Sequence, residues 1–366
     1  TPGAAALAAG TTGRATRLRR GPRAAPCDDH AVDARDQPLA VEEVAGGATR
    51  IALAVPGLAD GVNVHLLTGA GPTTLVDAAM PLPGALEALA AGVVAAGSAL
   101  DAVEQIVLTH HHADHIGLAG ELAHRTGARV LSLGAVAEVL RAPAEHFARE
   151  LSWAEAHTAR HGAPDALLDR TRGAQGLIRA VRPAEAVEEL RDGDVVRAGD
   201  LELTALHRPG HSPTDTLLVD ASRGVALVGD HLFRAAPLTP VLGSMLAPEA
   251  RPAATYLRAL DETTERRALL TLPGHGPAIP DPGALVADRR GALDRRTGRV
   301  LQALGDEPVS TWDLGVQVWR GVPSAAHGLT RLAALLASLE LLEDVGHAAR
   351  AGGPDAVAWV RGPDAP

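Results

Sequence analysis

The segment Thr109-His110-His111-His112-Ala113-Asp114-His115 gathers four histidines and one aspartate within seven residues. Imidazole nitrogens and carboxylate oxygens are the ligands that zinc, manganese and iron take from proteins. His110 and His112 are two residues apart, so in an extended segment their rings point the same way. Asp114 and His115 follow at the turn into a helix. These four side chains cannot all close on one small cation without strain, but they can serve two cations a few ångströms apart. Three further candidates stand in sharp turns: His211 in Pro209-Gly210-His211-Ser212, Asp230 in Gly229-Asp230-His231, and His275 in Pro273-Gly274-His275-Gly276. A lone histidine is more often structural than a ligand, so each is weak by itself. Together with the cluster they are a strong signal for a metal centre.

The elements that would position these side chains read as α/β. Apolar runs at 105–108, 201–206, 225–228 and 269–272 are buried strands, and each ends just before one of the four motifs. Earlier runs at 50–55, 62–67 and 73–76, separated by Gly, Pro and Asp turns, suit consecutive antiparallel strands. Helices are expected at 83–96, from Ile116 through 125, and at 253–265, with short strands at 129–131, 195–197 and 216–219. The result is two similar halves, strands first and helices after. Between them, about 135–180 reads as a helical insertion placed as a lid. Beyond 282 the pattern becomes helical: an Arg-rich amphipathic stretch at 283–304, a segment capped by Ser310 and ending near Trp319, and a longer helix at 325–343 capped by Ser324. Two apolar stretches around Gly352-Gly353-Pro354-Asp355 close the chain, giving a winged-helix outline. The expected organisation is a flexible arm (1–45), a catalytic domain (46–282) and a C-terminal helical, winged-helix-like domain (283–366).

Composition narrows the function. The chain has 366 residues, 46% of them hydrophobic and 21% charged, and a formal charge of −10, which opposes a polycation that coats nucleic acid. Cys27 is the single cysteine, so neither an intramolecular disulfide nor a thiolate zinc site is available. All basic residues are arginine, which excludes a lysine nucleophile or Schiff base. The longest uncharged apolar run, between Glu87 and Asp101, is short of the ~20 residues that a bilayer crossing needs. At the N-terminus, the apolar run 4–10 precedes its arginines, the wrong order for a secretory signal. A cytoplasmic protein with no membrane partner is expected.

In order and context, Thr-His-His-His-Ala-Asp-His, Pro-Gly-His-Ser, Gly-Asp and Leu-Pro-Gly-His-Gly resemble the metallo-β-lactamase superfamily over about residues 46–282. The resemblance implies an αβ/βα sandwich with a dinuclear site at one edge of its sheets. That site usually holds zinc, with manganese or iron as alternatives. It implies His110, His112 and His211 on the first metal, Asp114, His115 and His275 on the second, and Asp230 bridging them. Asp77 matches the family's first motif, where an aspartate supports the ligands from behind. Here Ala78-Ala79 follows it in place of the more usual Thr-Gly.

Asp230 argues against antibiotic hydrolysis, because the true β-lactamases of this fold lack the bridging aspartate. The intact cluster argues against the flavodiiron reductases, and the short Asp230–His275 spacing against the large RNA-processing members. What remains is the glyoxalase II-like, acyl-hydrolase branch: metal-bound hydroxide attacking a thioester, ester or lactone, with Asp114 orienting the water. The alternative is a phosphodiesterase or ribonuclease using the clustered Arg289, Arg290, Arg295, Arg296 and Arg299. The interspersed Asp288 and Asp294 and the scarcity of aromatic residues make a nucleic-acid partner the weaker reading. Trp153, with Phe147 and Leu151, is a candidate acyl-pocket residue, and Phe233 a candidate substrate contact near Met245. His231 is a candidate proton donor to the leaving group, and Tyr256, the single tyrosine, a candidate oxyanion donor. Oligomeric state is left open, a homodimer included.

Overall fold

Short β-branched and aliphatic runs, cut by glycine and proline turns, fold as strands of three sheets in the computed structural model. It describes residues 37–45, 47–169, 172–173, 179–235, 244–248, 251–265, 270–323, 327–353 and 355–366. The first sheet runs in chain order: β1 (Ala40–Ala45), β2 (Ala48–Val55), β3 (Leu58–Leu67), β4 (Thr74–Val76), β5 (Gln105–Val107), β6 (Arg129–Leu133) and β7 (Val187–Leu190). It is antiparallel as far as β4 and parallel from β4 to β7. The second comprises β8 (Val195–Ala198), β9 (Leu201–His207), β10 (Thr216–Asp220), β11 (Val225–Gly229) and β12 (Leu270–Pro273), in the order β12-β11-β10-β9-β8. Only β12 is parallel to its neighbour in this sheet.

Nine helices are described: α1 (Ala85–Ala95), α2 (Ala113–Ile116), α3 (Ala119–Thr126), α4 (Gly134–Arg141), α5 (Pro143–Arg160), α6 (Pro252–Glu265), α7 (Pro282–Ala303), α8 (Thr311–Trp319) and α9 (Gly328–Asp344). Strand alternation sorts side chains between layers. Leu67, Val76, Val107 and Leu131 of the first sheet meet Leu203, Ala205, Leu218, Leu227 and Leu272 of the second. On its outer face the first sheet carries Leu89 of α1, Leu122 of α3 and Leu140 of α4. The second carries Tyr256 and Leu260 of α6 and Val286 of α7. Helix, sheet, sheet, helix is the expected αβ/βα sandwich. Because β10 and β11 are covered on both faces, every residue in them is buried and their sequences show no polar alternation.

Several expectations need correction. The first sheet starts at β1, inside the stretch read as an irregular arm; residues 1–36 lie outside the described residues. β7, Val187-Glu188-Glu189-Leu190, was not expected: as an edge strand it exposes both glutamates, and its charge hides its pairing with β6. The insertion is not simply a lid, since Val136, Val139 and Leu140 of α4 and Phe147 of α5 belong to the core under the first sheet. Beyond the sandwich, α7, α8 and α9 pack with a three-stranded sheet in the order β13-β15-β14: β13 (Val309–Ser310), β14 (Ala348–Gly353) and β15 (Ala356–Arg361). Trp359 is the fully buried centre of that cluster, against Leu314, Leu335 and Leu339. Ser310 caps α8 as expected, its hydroxyl accepting from the Asp313 amide at 3.1 Å. Ser324 lies outside the described residues, and α9 begins at Gly328. No described helix is long and apolar enough to cross a membrane.

Candidate metal centre

Four strand ends deliver the cluster. After β5 the chain bends at Thr109 and His111 and reaches His112, the extended N-cap of α2, and α2 then turns Asp114 and His115 inward. His211 follows β9, Asp230 follows β11 and His275 follows β12. Two glycines let these loops close on one another. At Gly229, with φ +50°, a Cβ would lie 2.4 Å from Thr109 Oγ1; at Gly274 it would lie 2.5 Å from Asp230 Oδ1 and from a ring carbon of His115.

Behind the ligands stands Asp77, buried at the end of β4. Its carboxylate accepts from the Thr109 amide (2.9 Å) and from His115 Nδ1–H (2.8 Å). The Thr109 hydroxyl, 2.9 Å from Asp77 Oδ2, donates to that carboxylate and so accepts from His110 Nδ1–H at 3.0 Å. His275 Nδ1–H donates to the Gly61 carbonyl at 2.5 Å. Each contact engages Nδ1 and turns Nε2 of His110, His115 and His275 towards the centre. Asp77 itself has φ +66°, and Ala79 has φ +54°. Their loop is held against α2 by the Ala78 amide on the His115 carbonyl and the Gly117 amide on the Ala79 carbonyl.

The side chains form two adjoining groups. In the first, His112 Nδ1 lies 3.1 Å from His110 Nε2 and 3.0 Å from His211 Nε2. In the second, His275 Nε2 lies 3.4 Å from Asp114 Oδ2, and His115 Nε2 lies 3.8 Å from the same oxygen. Asp230 stands between them, Oδ2 being 3.6 Å from His211 Nε2 and 3.3 Å from His275 Nε2, while Oδ1 is 3.3 Å from His115 Nε2. His115 Nε2 and Asp230 Oδ1 are buried without a hydrogen-bond partner. Ligand atoms around a tetrahedral cation with ~2.1 Å bonds stand about 3.4 Å apart. Converging ring nitrogens, unpartnered buried atoms and these spacings fit divalent ions.

Electrostatics divide the two groups. Burial, then neighbouring imidazoles, hold His112 down to about 3 and His110 well below its ordinary value. In the second group burial again lowers, but Asp230 and Asp114, joined by Asp77 at His115, overcome it. His115 is carried well above the usual imidazole range, and His275 up to about 10.

The other expected site residues are placed differently. His231 is fully buried, with Nε2 3.1 Å from Thr263 Oγ1 and Nδ1 3.8 Å from Asp215, so it faces the α6 side as a packing residue. Tyr256 donates its hydroxyl to the His231 carbonyl inside the second outer core, which leaves it no part as an oxyanion donor. Trp153 stacks on His157 with ring centroids 4.6 Å apart. Phe233 is half-buried, its ring 5.2 Å from that of His275. Thr109 escaped the sequence reading, as did Asn63, whose amide donates to the carbonyls of Pro273 and Gly276 (both 2.8 Å) and so fixes the His275 loop. Its being the single asparagine was the available signal.

Seven candidate ligand side chains gathered at the paired sheet edges of an αβ/βα sandwich suit a metallo-hydrolase. The model of the metallo-beta-lactamase superfamily matches residues 57–275, and the chain belongs to that superfamily. It is similar to the probable metallo-hydrolase YqjP of Bacillus subtilis (strain 168), at 26% identity over 269 residues, 71% of this chain and 81% of that protein. Over 127 residues, 35% of this chain and 40% of the relative, it is 32% identical to the acyl-coenzyme A thioesterase MBLAC2 of Homo sapiens. A beta-lactamase domain protein from Burkholderia ambifaria superposes with a TM-score of 0.72 at 26% identity, covering 91% of this chain and 96% of that one.

Proposed function

We propose that this enzyme is a dinuclear acyl hydrolase acting on a thioester, ester or lactone. The observation that carries the acyl assignment is a cavity of about 280 Å³ bordered by the ligand His211 and lined by Pro209, Pro213, Ala247 and Pro252. Its lining surface is mostly apolar, with His207, Ser212, Ser244 and Thr255 as further polar groups, and no arginine or carboxylate is among the described residues that line it, which suits an acyl chain better than a phosphate. The partial likeness to a thioesterase supports the same substrate class. Divalent ions at this centre, zinc by preference for an imidazole-rich set and otherwise manganese or iron, would acidify a water and polarise the substrate carbonyl. Asp114, the most exposed carboxylate of the set, orients that water and takes its proton. Asp230 holds the two groups at a fixed spacing, and Phe233, beside His275, meets the substrate at the mouth.

The phosphodiesterase reading loses its surface. On α7, Arg290 binds Asp261 and the Leu257 carbonyl, Arg289 the Arg234 carbonyl, and Arg296 is buried against Ser338. These arginines pack α7 onto its neighbours, and only Arg295 and Arg299 of the five are exposed. We read the C-terminal helices and their small sheet as a winged-helix-like packing unit. The test is to assay the zinc-loaded chain and His112→Ala on an acyl thioester, an aryl ester and a phosphodiester. Chelator-sensitive turnover of the acyl substrates, lost in the variant, is expected; preferential phosphodiester cleavage would overturn the assignment.

A further inference from the structure

His111 sits between two of the ligands, yet its ring turns the other way, out of the dinuclear centre. It is fully buried, and its Nδ1 lies 2.8 Å from Thr214 Oγ1, which also accepts from the His111 amide at 3.1 Å. That contact leaves Nε2 facing α5 of the insertion. There it meets His146 and Glu150, which are four residues apart and so share one face of the helix. His111 Nε2 is 3.6 Å from Glu150 Oε1, and His146 Nε2 is 3.5 Å from Glu150 Oε2. Both distances exceed hydrogen-bond length. Accordingly, both ring nitrogens are buried polar atoms without a hydrogen-bond partner, aimed at the same carboxylate. The His111 and His146 rings are nearly perpendicular, at 85°, with centroids 5.9 Å apart.

Two unpartnered imidazole nitrogens stand 3.6 and 3.5 Å from one carboxylate, close to the spacing a small cation imposes on its ligands, and the three ligand atoms lie within 4.8 Å of one another. We propose that His111, His146 and Glu150 form a third divalent transition-metal site, separate from the dinuclear centre. Two imidazoles and a carboxylate select zinc, cobalt or iron over calcium or magnesium, and water completes the coordination. The ion fastens α5 to the histidine segment after β5. It therefore fixes α5 against that segment without taking part in hydrolysis. This assignment does not depend on which acyl or phosphoryl substrate the enzyme takes.

Equilibrium dialysis of the full chain against Zn²⁺ alone, with metal counted by mass spectrometry, tests it by difference. Glu150→Gln and His146→Gln should each bind one equivalent fewer than the wild type. In hydrogen exchange, zinc should protect α5 in the wild type and not in these variants. His110→Ala, which damages the dinuclear centre, should leave zinc-dependent protection of α5 in place. Equal zinc content in the wild type and in both α5 variants, or zinc protection of α5 that survives Glu150→Gln, would overturn the third site.

Discussion

The two halves of the candidate metal centre both enclose histidines, and their surroundings push His110 and His112 one way and His115 and His275 the other. His110, His112 and His211 face one another with no carboxylate in their own group, and burial keeps His112 down to about 3. Across the centre, His115 and His275 are just as enclosed, but Asp114, Asp230 and Asp77 surround them, and His275 is pushed up to about 10. Burial alone therefore does not set the charge of a buried imidazole; the carboxylates sharing its pocket do. His110 and His112 are ready to accept a cation as they stand. The second half holds protons in the place of one, and a cation must displace them.

Removing the residue common to both halves should have the largest effect. Asp230→Ala is expected to lower kcat/KM by about 10³-fold, the upper range for losing one electrostatic stabiliser, and to reduce metal content in both positions. If metal content fell in only one half, Asp230 would belong to that half alone. Asp77→Asn acts on one side more than the other. It removes the acceptor that orients His115, so affinity at the second position should fall about 10- to 100-fold while the first is weakened less. Titrating cobalt into the variant and following its two visible absorption steps would separate them.

A smaller contrast is in pH. His275 is at about 10 against its ordinary 6.5, so the ion-free enzyme holds a proton there at pH 7. Cation affinity of the second half should then rise with pH by about tenfold per unit for each proton displaced, the His275 share levelling off above about 10. His110 and His112, held down by burial, should add no such slope above neutrality. Calorimetry in buffers of different ionisation enthalpy would count the released protons. In the ion-free chain the same raised pKa stabilises the fold fully below about 6.5, and that contribution is lost as pH climbs through about 10. Smallest of all is Ala79→Gly. It relieves a left-handed alanine beside Asp77, worth about 1 kcal/mol before the added backbone entropy of glycine is subtracted. A slightly higher melting temperature with unchanged metal binding would locate strain in the loop, whereas a loss of metal would show that Ala79 holds Asp77 in place.

Most of the core elements were legible because their signals are local. β9 alternates buried and open positions over Leu201–Ala205, and glycine or proline marks the turns that carry His211, Asp230 and His275. β7 was not legible: its glutamates look like a turn until β6 is alongside to pair with. Likewise the α7 arginines resemble a basic surface until α6 and α9 supply their partners.

The sequence by itself picked out the candidate ligands that the fold brings together, because residue spacing, a turn into a helix, and glycine or proline at strand ends act over a few residues. Tertiary structure alone decided which ring nitrogen each ligand presents, since those nitrogens are fixed by Thr109, Asp77 and the Gly61 carbonyl. It turned His231 and Tyr256 away from the centre towards each other's segment, and brought Glu150 to His111 across 39 residues (150 − 111). Local spacing gives a side chain its face and its turn. What that side chain meets depends on strands that pair across long loops, and no local pattern carries that information.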